Sequence, residues 1–141
     1  MRYRLFQWVL GATLSLAIQS CASSAGRFDL VPSVPPGAPN NQTGYCIDNQ
    51  RIGVVVKNFG TTNVQNVDVK VTFSFQGTTS SQPPQGTGPI AGGGSSATLE
   101  FPIPQGCFDA DCNFTITVDP ENKFPDEGNE GNNTVSGVCI G

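Results

Sequence analysis

The chain has 141 residues, seven basic and eleven acidic, for a net charge of −4 with no histidine. That length suits one domain with a tail. An acidic chain whose basic residues are scattered singly offers no patch to neutralise phosphate, which argues against nucleic acid as a partner.

The first twenty residues do not read as part of a fold. Arg2 and Arg4 precede "LFQWVLGATLSLAI" (Leu5–Ile18), an apolar run without charge. It is short for a membrane span and matches the core of a secretory signal. Residues 1–20 are therefore read as a signal peptide, with two competing cleavage sites. "IQSC" (Ile18–Cys21) resembles a bacterial lipoprotein signal, which would make Cys21 the lipidated N-terminus; Gln19 is an unusual occupant of its middle position. "SSA" (Ser23–Ala25) offers an ordinary cut after residue 25 instead. The lipoprotein reading is preferred. Removing Arg2 and Arg4 leaves five basic residues against the eleven acidic ones.

Beyond the signal, seventeen glycines and eleven prolines punctuate a chain rich in Val, Ile, Phe and Thr. No window has helical period, so the reading is an all-β domain with many turns. Residues 21–44 are dominated by Ser, Pro, Gly and Asn and read as a linker, with "RFDLV" inside it a candidate short first strand. The core is expected to start at Tyr45. "RIGVVVKN" places Ile52, Val54 and Val56 on one face. "DVKVTFSF" alternates throughout, with Val69, Val71, Phe73 and Phe75 inward. The polar stretch from Gln76 to Ser96 is unsuited to a central strand. "ATLEFPIP" puts Ala97, Leu99, Phe101 and Ile103 on one face, and Pro102 marks an edge. "CNFTITVD" buries Cys112, Phe114, Ile116 and Val118, and "TVSGVCIG" closes the chain with Val135 and Cys139 in phase. Half-buried strands joined by Gly/Pro turns make a two-sheet sandwich. Whichever signal cut is used, Cys46, Cys107, Cys112 and Cys139 remain. An even number in an exported domain reads as two disulfides, with three connectivities open, and the spacing of a zinc site is absent.

The ordered set "VVVKNFGTTNVQNVDVKVTFSF", "PIAGGGSSATLEFPIP" and "FTITVDPENKFPDEGNEGNNTVSG" resembles the CARDB domain, the cell adhesion related domain found in bacteria. The resemblance spans residues 45–141. It rests on a strand ending in K-N-x-G (Lys57, Asn58, Gly60) and a glycine turn (Gly92–Gly94). It rests also on V-D (Val118, Asp119) followed by E-x-N-E-x-N-N (Glu127, Asn129, Glu130, Asn132, Asn133). It implies an immunoglobulin-like or fibronectin-like antiparallel sandwich of about seven strands, in exported proteins, with no established ligand. A strand order of that kind would bring all four thiols to one pole. The expectation is Cys107–Cys112 across a turn and Cys46–Cys139 between chain ends, with Cys112–Cys139 as the alternative.

Chemistry is sparse. There is no histidine base and no G-x-S-x-G elbow, so the chain is read as a non-enzyme without a cofactor. The stretch Thr117–Val135 is the exception. Asp119, Glu121, Asp126, Glu127, Asn129 and Glu130 could supply oxygen ligands to calcium, although the spacing is not that of the twelve-residue calcium loop. The competing reading makes these side chains partners of turn amides. The function expected is a non-catalytic binding, adhesion or scaffolding module of the bacterial cell envelope, with an envelope protein or glycan as partner and the membrane touched only through a lipid. A secreted carbohydrate-binding module, with Phe59, Phe108 and Phe124 as its candidate contact residues, and a purely structural envelope part are the alternatives.

Overall fold

The computed structural model of the chain describes residues 27–38, 43–48, 50–109 and 111–140. The signal segment, Cys21 and both candidate cleavage sites lie outside the described residues. Among the described residues nine short strands form two sheets, with every strand pairing antiparallel.

The first sheet is built on β3 (Arg51–Asn58). Along one of its edges lie β1 (Leu30–Ser33) and β2 (Cys46–Asp48), and along the other lies β7 (Leu99–Pro102). The second sheet is built on β4 (Asp68–Phe75) and β8 (Cys112–Val118), with β9 (Thr134–Cys139) beyond β8. The other edge of β4 carries β5 (Thr78–Ser81) and β6 (Gln85–Gly86). Period-two alternation explains the stacking, because it gives each sheet one apolar face to bury against the other. Ile52, Val54, Val56 and Phe101 from the first sheet meet Val69, Val71, Phe73, Phe114, Ile116 and Val118 from the second in one core cluster. Burying each of these large groups is worth about 1.5–3 kcal/mol, so this layer is the main favourable term of the fold.

Three features depart from the expectation. The stretch 21–44 is more than a linker: residues 30–33 pair with 55–58, and Leu30 is fully buried in the core. The strand allowed for in "RFDLV" thus exists, displaced toward Ser33, and packed structure begins near Phe28 rather than at Tyr45. β3 is buried on both faces, Gly53 and Val55 included. A methyl group added at Gly53 would lie 2.8 Å from both Ile47 and Pro35, which shows what covers the outer face. The polar stretch after Phe75 holds an edge hairpin. Gln76 and Gly77 have φ of 48° and 72°, the twist of a two-residue turn compatible with right-handed strands.

Two of the glycine-bearing motifs meet in space. Asn58 is buried, its Oδ1 accepting from the Gly60 amide at 3.0 Å and its Nδ2 donating to the Thr62 carbonyl at 2.8 Å. The Gly93 amide donates to the Gly60 carbonyl at 3.0 Å, and a Cβ at Gly92 would stand 2.4 Å from the Thr61 carbonyl oxygen. The K-N-x-G segment and the glycine turn are therefore two halves of one close backbone contact.

Candidate functional site

β8 separates two poles by its length, roughly 20 Å for a seven-residue strand. At one pole are the cysteines. Cys46 of β2 is bonded to Cys139 of β9, joining the two sheets with Cα atoms 5.8 Å apart. Cys107, which opens a 3-10 turn (Cys107–Asp109), is bonded to Cys112 with Cα atoms 5.0 Å apart. Cys112 and Cys139 face each other in the β8–β9 register, yet each is bonded elsewhere. A cleft of about 480 Å³ opens beside this pole, lined by Gln50, Arg51, Pro102, Ile103 and Phe108 among others. Arg51 is its titratable side chain. It bridges Asp48 at 2.7 Å and Glu100, tying β2 to β7. A second cleft of about 430 Å³ runs between Val34–Pro36 and Ser95–Thr98, with Lys57 as its titratable group.

The other pole carries the acidic turn 119–133, and its side chains divide into separate jobs. Asp119 takes φ of 49°, a left-handed conformation that aspartate and asparagine tolerate better than most residues. Its side chain is buried, with Oδ1 accepting from the Lys123 amide and Oδ2 from the Phe124 amide, both at 2.9 Å. Both oxygens are thereby committed to the turn. Glu121 is exposed and pairs with Lys123 Nζ at 3.2 Å, while the same ammonium donates to Asp68 at 2.6 Å. Those two contacts, Asp68 first, hold the Lys123 pKa above its ordinary value. Asp126 is exposed. Asn129 caps a 3-10 turn (Glu130–Asn132), its Oδ1 accepting from the Gly131 amide at 3.0 Å. Glu130 accepts from Asn133 Nδ2 at 3.2 Å.

Glu127 differs from the rest. Both its carboxyl oxygens are buried, and neither completes a hydrogen bond. Burial pushes its pKa up to about 7; the nearby Asn133 side-chain amide and Leu30 backbone amide oppose this, and the charges of Glu130 and Asp119 add to it. The Oδ1 atoms of Asn132 and Asn133 are likewise buried without a partner.

The six residues read from the sequence as candidate calcium ligands therefore do not converge on one point. Asp119 and Asn129 serve backbone amides, Glu121 faces a lysine, Asp126 faces solvent, Glu130 accepts from Asn133, and Glu127 is buried without completing a hydrogen bond. Among the described residues, no group of three or more His, Cys, Asp or Glu side chains is placed to hold a metal ion. Sequence reasoning also missed the partners from the chain's other end. Phe28 forms a β-bridge to Glu127 and accepts from the Gly128 amide at 2.8 Å. The Phe28 ring stacks edge-on against Phe124 at 5.3 Å, and Asp29 Oδ1 accepts from Asn132 Nδ2 at 2.8 Å. Of the turn phenylalanines, Phe59 exposes its ring, whereas Phe108 and Phe124 pack against the core.

The CARDB family model matches residues 28–137. No curated protein sequence matches the chain. Among solved structures, the chain is similar to the CARDB domain of the PF1109 protein from Pyrococcus furiosus, solved in complex with di-metal ions. The two are 21% identical, the TM-score is 0.57, and the match covers 82% of this chain and 94% of the other.

Proposed function

The chain belongs to the CARDB family, an adhesion-related, non-catalytic group of domains, and from that premise we propose that it is a binding or scaffolding module of the bacterial cell envelope. The observation that carries the reading is a family-typed sandwich closed by two disulfides, Cys46–Cys139 and Cys107–Cys112. Cross-links of this kind persist in oxidising compartments, which fits export. Lipidation at Cys21 would place the domain close to a membrane, its first packed residue following within a short linker. Among the described residues, no helix is long and apolar enough to cross a membrane.

Affinity capture from cell envelopes with the full chain tests the role. Recovery of a defined envelope protein or glycan supports it, and a domain that retains nothing leaves the purely structural reading. Metabolic labelling with a palmitate analogue, compared with Cys21→Ser, tests the anchor: incorporation that persists in the variant rules it out. One observation favours the carbohydrate-binding alternative, the exposed ring of Phe59 (62% exposed) beside the acidic pole. Glycan-array binding abolished by Phe59→Ala would move the assignment to that class.

A further inference from the structure

The cleft at the cysteine pole has a volume of about 480 Å³, inside the range of small-ligand clefts, about 300–1,000 Å³. One wall is the turn Pro104–Phe108. The Cys107–Cys112 bond closes that turn, and the Cys107 amide donates to the Pro104 carbonyl at 3.2 Å. Gly106, at φ of 83°, lets the chain reverse there. Phe108 packs against the core yet is only half-buried, and it lines the cleft.

The other wall is formed by Gln50 and Arg51, and the two walls join where the Ile103 amide donates to the Gln50 carbonyl at 2.7 Å. Arg51 is directed by carboxylates. Its Nε and one terminal nitrogen donate to Asp48 at 2.9 and 2.7 Å, and the other terminal nitrogen donates to Glu100. Those bonds occupy three of the five N–H donors of a guanidinium, so among the described residues two remain for a ligand. Gln50 and Gln105 are exposed, and their side-chain amides bond to no other described residue. Charge then narrows the ligand class. Arg51 faces two carboxylates, so the cleft gains no net positive charge, and the chain as a whole is acidic. Phosphorylated, sulfated or carboxylated ligands are therefore disfavoured. A purely apolar ligand would cover the Arg51 and glutamine groups without pairing them, at a cost. A neutral ligand fits if its hydroxyls donate and accept and its C–H faces can lie on Phe108, Pro102 and Pro104. The second cleft offers no such combination, since a lysine and no aromatic ring stand among its lining residues.

We propose that the cleft at the cysteine pole binds a neutral oligosaccharide, with Phe108 as its stacking platform and Gln50, Arg51 and Gln105 as partners of its hydroxyls. The inference rests on the reading of the chain as a binding module and names the ligand class of that module. It places the glycan contact away from Phe59, whose ring is exposed beside the acidic pole. Asp48 and Glu100 are positioning residues, acting through the guanidinium that they hold. The disulfide-closed turn is set before a ligand arrives, which lowers the ordering cost of binding.

Screening the purified full chain against N-acetylated chito-, cello-, malto- and manno-oligosaccharides, with sulfated and sialylated oligosaccharides beside them, tests the proposal. Binding should be confined to neutral members, and titration with a neutral hit should shift the backbone amide signals of Gln50, Arg51, Gln105 and Phe108. Phe108→Leu keeps an apolar side chain but removes the flat ring, and should weaken that binding about tenfold or more, as loss of an aromatic anchor does. Gln105→Ala, at an exposed position, should weaken it too, and decides the matter should Phe108→Leu fail to fold. Phe59→Ala should leave it unchanged. No binding to any neutral member, a preference for the anionic ones, or an affinity indifferent to Phe108→Leu and Gln105→Ala each overturns the assignment. Loss on Phe59→Ala alone overturns it as well, and returns the contact to that ring. A protein partner captured from envelopes while no oligosaccharide binds would leave the binding-module reading standing and remove this one.

Discussion

Replacing Cys46 and Cys139 together by alanine opens a cross-link between residues 93 apart in sequence, whereas replacing Cys107 and Cys112 opens one between residues 5 apart. A cross-link restricts the unfolded chain by an entropy that grows with the logarithm of the loop it closes. On that account the long bridge contributes about 4.7 kcal/mol and the short one about 2 kcal/mol. All four side chains are buried, so each alanine pair gives up similar packing and most of that loss cancels in the comparison. The long-bridge variant should be the less stable by about 2.5 kcal/mol. In a domain of this size that corresponds to a gap of roughly 10–13 °C in melting temperature. Urea unfolding without reductant measures it, and the long-bridge variant should also show a larger m-value because its unfolded state expands further. Equal stabilities within about 0.5 kcal/mol, or a weaker short-bridge variant, would refute the unfolded-state argument.

Three other predictions rest on single positions. Asn58→Ala strips the partner from the buried Gly60 amide and the Thr62 carbonyl, and denaturant unfolding should show a loss of about 2–4 kcal/mol; a loss below about 0.5 kcal/mol would sink the role given to its side chain. Gly60→Ala sets a methyl group 2.5 Å from the Arg27 carbonyl oxygen and 2.6 Å from Phe28 Cα, so hydrogen exchange should rise selectively in β1, and unchanged protection there would contradict the close approach. Burial holds the Glu127 carboxyl near a pKa of about 7, well above its ordinary 4.5. The protonated form is the one the fold prefers, so its contribution is complete below about pH 4.5 and fades as pH climbs through about 7. The melting temperature should therefore fall between those limits, and Glu127→Gln should flatten that part of the profile; an identical slope in the variant would remove Glu127 as its source.

Much of the sandwich was legible because alternation is a local property. β4 and β8 read directly from Val69, Val71, Phe73 and from Phe114, Ile116, Val118, since each buries one face only. What escaped was burial by distant segments. Val55 looked solvent-facing because nothing in its own strand shows that Pro35 and Ile47 lie across the outer face beside it. Ala97 was placed with the inward side chains and is exposed, because pairing in β7 begins only at Leu99. The hairpin after Phe75 was hidden by its polar strands, although its Gln-Gly turn was the signal available. In the acidic turn the residue types pointed to oxygen chemistry, but composition could not divide them among jobs. That division depends on Asp29, which reaches Asn132 across 103 positions of sequence, and on which oxygens the backbone amides take first.

The Cys46–Cys139 bond has a mechanical consequence. The described chain enters at the acidic pole, at Arg27, and leaves at the cysteine pole, at Ile140, so tension between an anchor and a cargo would run along the length of the sandwich. Covalent load passes from Cys46 directly to Cys139, bypassing β3 through β8. Only residues 27–46 can then be drawn out, roughly 65 Å of chain at about 3.4 Å per residue. Such a domain would act as a tether with a hard stop: the strand that force reaches first is β1, and the segments between the two cysteines carry no direct covalent load.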